Sequence, residues 1–514
     1  MTTAPLTPAP AAPDGGWTPR LGFSLLSMVL ILELLSASYL MISMALPTIS
    51  QHYETDQTAW MMTGFLLVGA VSAPLLGKAA DMVGKRKVLL ACVAVATVGF
   101  LISAVAPTYG IMILGRALGG FLIPPLFLTY SLIRDVFPRR TIALAVSIST
   151  AGMGLVAIPT PFLAGWLIDD FGWRSMFWFC TIILAVMGVL VRISTPETPV
   201  RTRSHIDIVG AVLIGGGLAG ILLGVSFGPT WGWSAPGTLV ALIGGVVLLA
   251  AWLVSASKIP EPLISLSLLR RRSVLLIVVS AGCIYGVSTL FSTILPYVVM
   301  MSDKLGLGYG FGVDHEGFAV FQVPTGGMTM VGGLIVGFLV GRGSRPRLTM
   351  AAGMLAAGVG AALSGINLAS EPYLLVCAGL VGLGMGLSYA SIPNLLIEAV
   401  APQLQASTAS IVAAVQSVLP GILSVIMFTV LNGSFKADLP VEVTQGAAIY
   451  TSQGWTVAFL MTAVVALAGL VAAVLLPKKF AQATAQGPDD AAAITIAASG
   501  AVPSVDEAGA AARV

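Results

Sequence analysis

The sequence predicts an all-α polytopic membrane protein, with fourteen spanning helices arranged as six, two and six and both termini in the cytoplasm. Three observations carry this. Hydrophobic residues make up 57% of the 514 residues and charged residues 9%, against roughly 45–50% and 25% in soluble domains, so charge is too scarce to coat water-facing cores of this size. The apolar residues fall in fourteen runs, each close to the ~20 residues a helix needs to cross a bilayer. Lysine and arginine alternate between the two sides of successive runs, 21 on one side and three on the other, with Arg116 inside a run. The side richer in them is cytoplasmic by the positive-inside rule. A net charge of +3 offers no basic field for nucleic acid.

Residues 1–20 are polar and Pro-rich and read as a disordered cytoplasmic tail. The first run, 21–46, is not followed by a small-residue cleavage site and reads as a retained helix. Runs 60–76, 88–106, 110–133, 142–168 and 176–193 complete an N-terminal six-helix bundle, 21–193. They show little of the period-2 alternation of a barrel wall. Residues 194–205 form a polar, basic linker, and runs 206–227 and 236–256 form a helical hairpin, 206–256, with Trp231-Gly232-Trp233 at its turn. Runs 274–301, 317–340, 348–366, 373–397, 407–431 and 456–476 make a second bundle, 257–477, and 478–514 is an Ala- and Gly-rich cytoplasmic tail. Paired bundles with a site between them near the midplane are the architecture of many secondary transporters. Cys92, Cys180, Cys283 and Cys377 all lie in apolar runs without CxxC spacing and read as packing residues, with no metal site.

After the second run comes Gly77-Lys78-Ala79-Ala80-Asp81-Met82-Val83-Gly84-Lys85-Arg86-Lys87. Its glycines permit a tight turn. Asp81, at a helix end with Lys85 and Arg86 nearby, can latch two helices in one state and release them in another. The segment resembles the inner-loop signature of the major facilitator superfamily, G-x-L-A-D-x-x-G-R-K/R. A weaker echo, Gly341-Arg342-Gly343-Ser344-Arg345-Pro346-Arg347, follows the tenth run without the Asp. Further segments are Ala45-Leu46-Pro47, Gly115-Arg116-Ala117-Leu118-Gly119-Gly120, Thr160-Pro161-Phe162-Leu163-Ala164-Gly165, Trp173-Arg174 and Asp207-Ile208-Val209-Gly210. Together these resemble the 14-helix drug:proton antiporter family, over about residues 21–478. The resemblance implies the major facilitator fold and alternating access. It implies a multi-pass protein of the plasma (inner) membrane that is monomeric, needs no cofactor, and exchanges a small lipophilic substrate for protons among membrane lipids.

Two departures bear on coupling. Where the family has an acid nine residues before the Pro that ends the first helix, this chain has Ser38; its fifth-helix motif G-P-x-x-G-G keeps only Pro161 and Gly165. Two charges are intramembrane, Glu33 and Arg116, each costing a few kcal/mol at the bilayer centre unless it faces a cavity or a partner. Counting rise per residue puts both about 18–21 Å above the inner edge. Glu33 is therefore the candidate proton carrier, with Arg116 as its partner, although it lies five residues from Ser38, about 140° around the helix. The competing readings are a structural ion pair and a Glu that points to a neighbouring helix with no coupling role. Ser38, Tyr39, Gln322, Tyr389 and Asn394, together with Tyr130 and Gln416, are polar groups in apolar runs. They either line a substrate cavity or satisfy a neighbouring backbone group.

Proton-driven efflux of lipophilic compounds leads. The alternatives are export of an endogenous lipid or secondary metabolite, uptake with weak or no proton coupling, and a non-transporting membrane receptor. No G-x-x-x-x-G-K-[ST] loop supports an ATP-driven pump, and nothing indicates an enzyme. The topology makes a direct prediction. In a Cys-free variant, Trp231→Cys reacts with an impermeant thiol reagent added outside intact cells, and His205→Cys reacts only after permeabilisation; the reverse pattern removes the fourteen-helix topology.

Overall fold

The computed structural model describes residues 16–55, 59–198, 207–259, 262, 270–302, 306–313, 315–401, 405–434 and 449–477. The whole predicted C-terminal tail, most of the N-terminal one and the greater part of the linker, including His205, lie outside the described residues. Among those described, every element is helical: α1 (Pro19–His52), α2 (Ala59–Val83), α3 (Lys85–Val105), α4 (Tyr109–Gly119), α5 (Pro125–Val136), α6 (Arg139–Ala157), α7 (Thr160–Phe171), α8 (Arg174–Ser194), α9 (Ile208–Trp231), α10 (Pro236–Lys258), α11 (Arg272–Val299), α12 (His315–Gly341), α13 (Pro346–Ser364), α14 (Glu371–Ala399), α15 (Gln405–Asn432) and α16 (Ser452–Val474).

Helices dominate because an apolar medium leaves backbone N–H and C=O groups no partner but each other. Thirteen spans among the described residues are long and apolar enough to cross a membrane. Two predicted runs are broken, each at prolines. The fourth is α4, a 3₁₀ turn at Gly120–Leu122 and α5; Pro124 and Pro125 supply no N–H and crowd the preceding carbonyls, so the turn tightens to Ile123 N donating to Gly120 O at 3.0 Å. The fifth is split into α6 and α7 at Ile158-Pro159, and the Thr160 hydroxyl bonds back to Val156 O at 2.6 Å. Pro161 opens α7 within its first turn, where a missing N–H costs nothing.

Helices α1–α8 pack on one another, α3 against α4 and α8, and α1 against α6 and α8; α11–α16 form a second group, with α13 between α14 and α16. Two seams join the groups. One is α2 against α15, and the other is α6 against α12, with α6 also touching α14 and α5 touching α15. The hairpin α9–α10 lies outside, but α9 packs on α2 and reaches α15, so it borders the first seam. Aromatic rings fix it there: Trp60 and Phe227 are 4.3 Å apart between centroids, and Phe227 stacks on Trp231 at 4.9 Å. The outer flank of α10 presents Leu239, Val240, Ile243, Val246 and Val247, all exposed, a surface suited to lipid.

Lipid is as apolar as leucine, so helices associate by close packing and small residues mark the closest approaches. At the second seam a Cβ on Gly154 would meet Gly326 O, and one on Gly326 would meet Gly154 O. Gly165 has nothing within 4 Å of a built Cβ. Gly154→Ala is therefore expected to lower the melting temperature of the purified protein, an overpacking cost of about 1–3 kcal/mol, while Gly165→Ala leaves it unchanged or slightly raised. Equal melting temperatures for the two variants would show that the α6–α12 approach is not tight.

Candidate functional site

One end of the bundle carries the charges of the loop between α2 and α3, and we call it the basic end. The loop is a single residue, Gly84, whose φ of +125° a side chain cannot adopt without strain; a Cβ there would also strike the Glu197 carboxylate. That conformation starts α3 at Lys85 directly under Asp81. Lys85 Nζ lies 2.7 Å from Asp135 Oδ2 and 4.0 Å from Asp81 Oδ1, with all three side chains buried. The Thr198 hydroxyl donates to the same Asp135 oxygen. Glu197 accepts from the backbone N–H groups of Arg86 (3.0 Å) and Lys87 (3.2 Å), capping the positive end of α3. Arg86 Nη1 donates to Thr195 O at 2.7 Å. The predicted gate residues Asp81, Gly84, Lys85 and Arg86 are thus one cluster, and Gly77 lies one turn earlier on α2.

Asp135, Glu197 and Thr198 complete the cluster, and sequence reasoning missed them. Their only signal was acids standing among bases on the same side, Asp135 beside Arg134 and Glu197 in the linker. All these partners belong to α2, α3, the end of α5 and the segment after α8, so the cluster binds the first helix group to itself. Across the groups at this end, among the described residues, the neighbouring Arg134 donates from Nη1 to Val400 O at 2.7 Å, at the C-terminus of α14.

Deeper in the bundle the two predicted intramembrane charges are both buried, Glu33 at 3% and Arg116 at 1% exposure. They do not pair. Both Glu33 carboxylate oxygens and both Arg116 Nη atoms lack a hydrogen-bond partner among the described residues. Arg116 turns toward α2, α3 and α8. Its Nε donates to Met61 O at 3.3 Å, and its guanidinium sits over the Phe65 ring at 4.4 Å and the Phe100 ring at 5.9 Å. Glu33 faces the other way. A Cβ on Gly152 of α6 would overlap its carboxylate, and its charge reaches Tyr130 of α5. Five residues from Ser38 is about 140° of rotation, so Glu33 lies on another face of α1, the one that meets Gly152 of α6.

The remaining candidates divide. Ser38 is fully buried and donates to Leu35 O at 3.0 Å, and Asn394 Nδ2 donates to Ala390 O at 2.7 Å, so each satisfies its own helix. Tyr39 is 41% exposed in the middle of α1, and Gln322 is half-buried on α12. Tyr389 lines a cavity of about 30 Å³ between the groups, with Tyr130, Tyr285 and Gln416 as its other polar walls and Phe127 and Pro393 among its apolar ones. Tyr285, which sequence reasoning also missed, packs its ring 4.7 Å from that of Tyr389. A space of this size holds about one water, so no substrate fits there in this conformation. Pro161 and Gly165 lie on α7, away from this cavity.

The basic-end cluster has a measurable ranking. Asp135→Ala strands Lys85 in a buried site, and removing one partner of such a pair costs about 3–5 kcal/mol. Glu197→Gln removes only the charge of a partly exposed cap, worth about 0.3–1 kcal/mol. Thermal melts in detergent are expected to show the much larger drop for Asp135→Ala; equal drops would contradict the buried pair.

Comparison with known proteins agrees with this architecture. The family model described as Major Facilitator Superfamily matches residues 26–208 and 206–425. A protein named multidrug resistance protein B homolog from Mycobacterium tuberculosis (strain ATCC 25618 / H37Rv) is 28% identical over 472 residues, covering 88% of this chain and 84% of that protein. A uridine/deoxyuridine transporter from Lactococcus lactis subsp. cremoris is 26% identical over 374 residues, covering 70% of this chain and 75% of its own length. Among solved structures, the human organic anion transporter MFSD10 superposes with a TM-score of 0.60 at 13% identity, over 89% of this chain and all of that one. FucP in its outward conformation gives a TM-score of 0.58 at 14% identity, over 89% and 99%. With two paired helix groups, the loop signature after α2 and a family match over most of its length, this chain is a multi-pass membrane transporter of the major facilitator superfamily.

Proposed function

We propose that the protein exports lipophilic small molecules from the cytoplasm across the plasma membrane in exchange for protons, by alternating access about the two seams. The observation that carries this is Glu33: a carboxyl buried beside the seam, with both oxygens unpartnered. Such a charge is costly in an apolar bundle unless it binds something in the working cycle, and a proton is the ligand that removes the cost outright. The many apolar walls and few fixed charges favour lipophilic compounds, and the relative named for multidrug resistance matches 88% of the chain.

In this reading α6 and α7 are one broken span, giving fourteen in all, and the basic end faces the cytoplasm with both termini. The Asp81–Lys85–Asp135 cluster and Arg86 form the cytoplasmic gate, and the Arg134–Val400 bond is the contact that breaks when it opens. The units are 21–193 and 257–477 about the hairpin 206–256, in a monomer. Arg116 acts apart from Glu33, held by aromatic faces. A second reading, uptake or transport with weak coupling, is favoured by Ser38 at the family's acidic position and by the uridine/deoxyuridine transporter among the relatives.

Proteoliposomes loaded with a panel of dyes and metabolites, ethidium among them, separate the two. With an imposed pH gradient the parent is expected to accumulate substrate, and Glu33→Gln to lose that accumulation by at least about tenfold while retaining downhill exchange. Gradient-driven transport by Glu33→Gln at the parent rate would falsify the proton role and leave the uncoupled reading.

A further inference from the structure

The small cavity between the helix groups has a composition that its apolar surroundings do not require. Three of its walls are tyrosines, one from the first group (Tyr130 on α5) and two from the second (Tyr285 on α11, Tyr389 on α14), and Gln416 of α15 supplies a fourth polar group. No charged side chain lines it among the described residues. At about 30 Å³ it has room for a water, and its four polar residues are the groups that could supply the two to four hydrogen bonds a buried water needs. The cavity lies toward the basic end. Tyr130 is one turn, about 6 Å, from Arg134, and Leu396, which lines the cavity, is one turn from Val400. These are the two partners of the bond that closes the groups there. Tyr130 is carried by α5, which packs on α1, the helix of the unpartnered Glu33.

We propose that Tyr130, Tyr285 and Tyr389, with a water held in the cavity they line, form a proton path between the basic end and Glu33, assembled across the seam only while the two helix groups are closed at that end. The proposal rests on the reading of Glu33 as the proton site. Each hydroxyl takes a proton on a lone pair and passes its own onward, so only O–H bonds break and form. The carboxylate gains one proton, and solvent at the basic end loses one. Separation of the groups draws Tyr130 away from Tyr285 and Tyr389 and breaks the path. In the closed conformation described here the cavity section of the path is assembled, and the step from Tyr130 to Glu33, which no hydrogen bond yet joins, is completed by a turn of the Glu33 side chain. An antiporter requires such a gap in part of its cycle, since a path continuous in every state would leak protons. The other ionisable groups around Glu33 and the cavity are committed elsewhere: Arg116 to Phe65 and Met61, Tyr39 toward Arg116, Asp135 to Lys85, and Arg134 to Val400 O.

The test needs no transported substrate. The full chain in liposomes is given a pH jump, and infrared difference spectroscopy follows the carboxylic-acid band of Glu33, identified by its absence in Glu33→Gln. Tyr130→Phe and Tyr285→Phe keep the rings and remove the hydroxyls. Both are expected to slow the appearance of the band by at least about tenfold without changing its final amplitude. Tyr373→Phe, at the opposite end of α14 with its hydroxyl on Leu363 O, is expected to match the parent. An unchanged amplitude also shows that the variants are folded and that proton affinity is intact, which a purely structural role of the rings would leave alone together with the rate. Parent rates in both variants overturn the path and leave the Glu33 reading standing. Absence of any titrating Glu33 band in the parent overturns that reading and the path with it.

Discussion

Every polar group placed in the apolar layer must find its partner within the protein, and the architecture follows from that constraint. It makes the chain helical, and it concentrates unmet backbone groups at helix ends, where the last carbonyls point out with a partial negative charge. At the basic end arginines meet them one after another: Arg20 on Ser194 O, Arg86 on Thr195 O, Arg134 on Val400 O and Arg347 on Leu476 O. Those carbonyls close α8, α14 and α16, helices whose C-termini all arrive at the same end. The basic residues that orient the chain are therefore also its caps, and one of them, Arg134, bridges the two helix groups.

The same constraint makes Glu33 and Arg116 informative, because each meets it incompletely. Arg116 is accommodated by the negative faces of Phe65 and Phe100 and one backbone carbonyl, which suits a flat, weakly hydrated guanidinium. Glu33 has no comparable shelter among the described residues. Its space is kept open by Gly152, where any side chain would collide with the carboxylate. A carboxyl left without a donor is the feature on which the proposed proton role rests.

The two seams between the groups are built differently. The α6–α12 seam is backbone against backbone at Gly154 and Gly326, with little side-chain surface to interlock. The α2–α15 seam is bordered by α9, which touches both sides. Small residues let packed helices rock without repacking large side chains, and the hairpin flanks the seam without contributing to the buried polar groups described here.

The sequence by itself determined the spans, their alternation and the basic end, because hydropathy and the Lys/Arg bias are sums over many residues and tolerate errors at any one. It also carried the Gly-Asp-Gly-base signature, since those partners lie close along the chain. Sequence placed Glu33 and Arg116 at similar depth, yet only the tertiary structure decided that they face apart, because a helix turns 100° per residue and depth carries no direction. Asp135, Glu197 and Thr198 come to the Asp81–Lys85 cluster, and Tyr285 to Tyr130 and Tyr389, from helices and segments distant in the chain. No local pattern encodes such meetings; they arise from which faces of α3, α5, α8, α11 and α14 pack together.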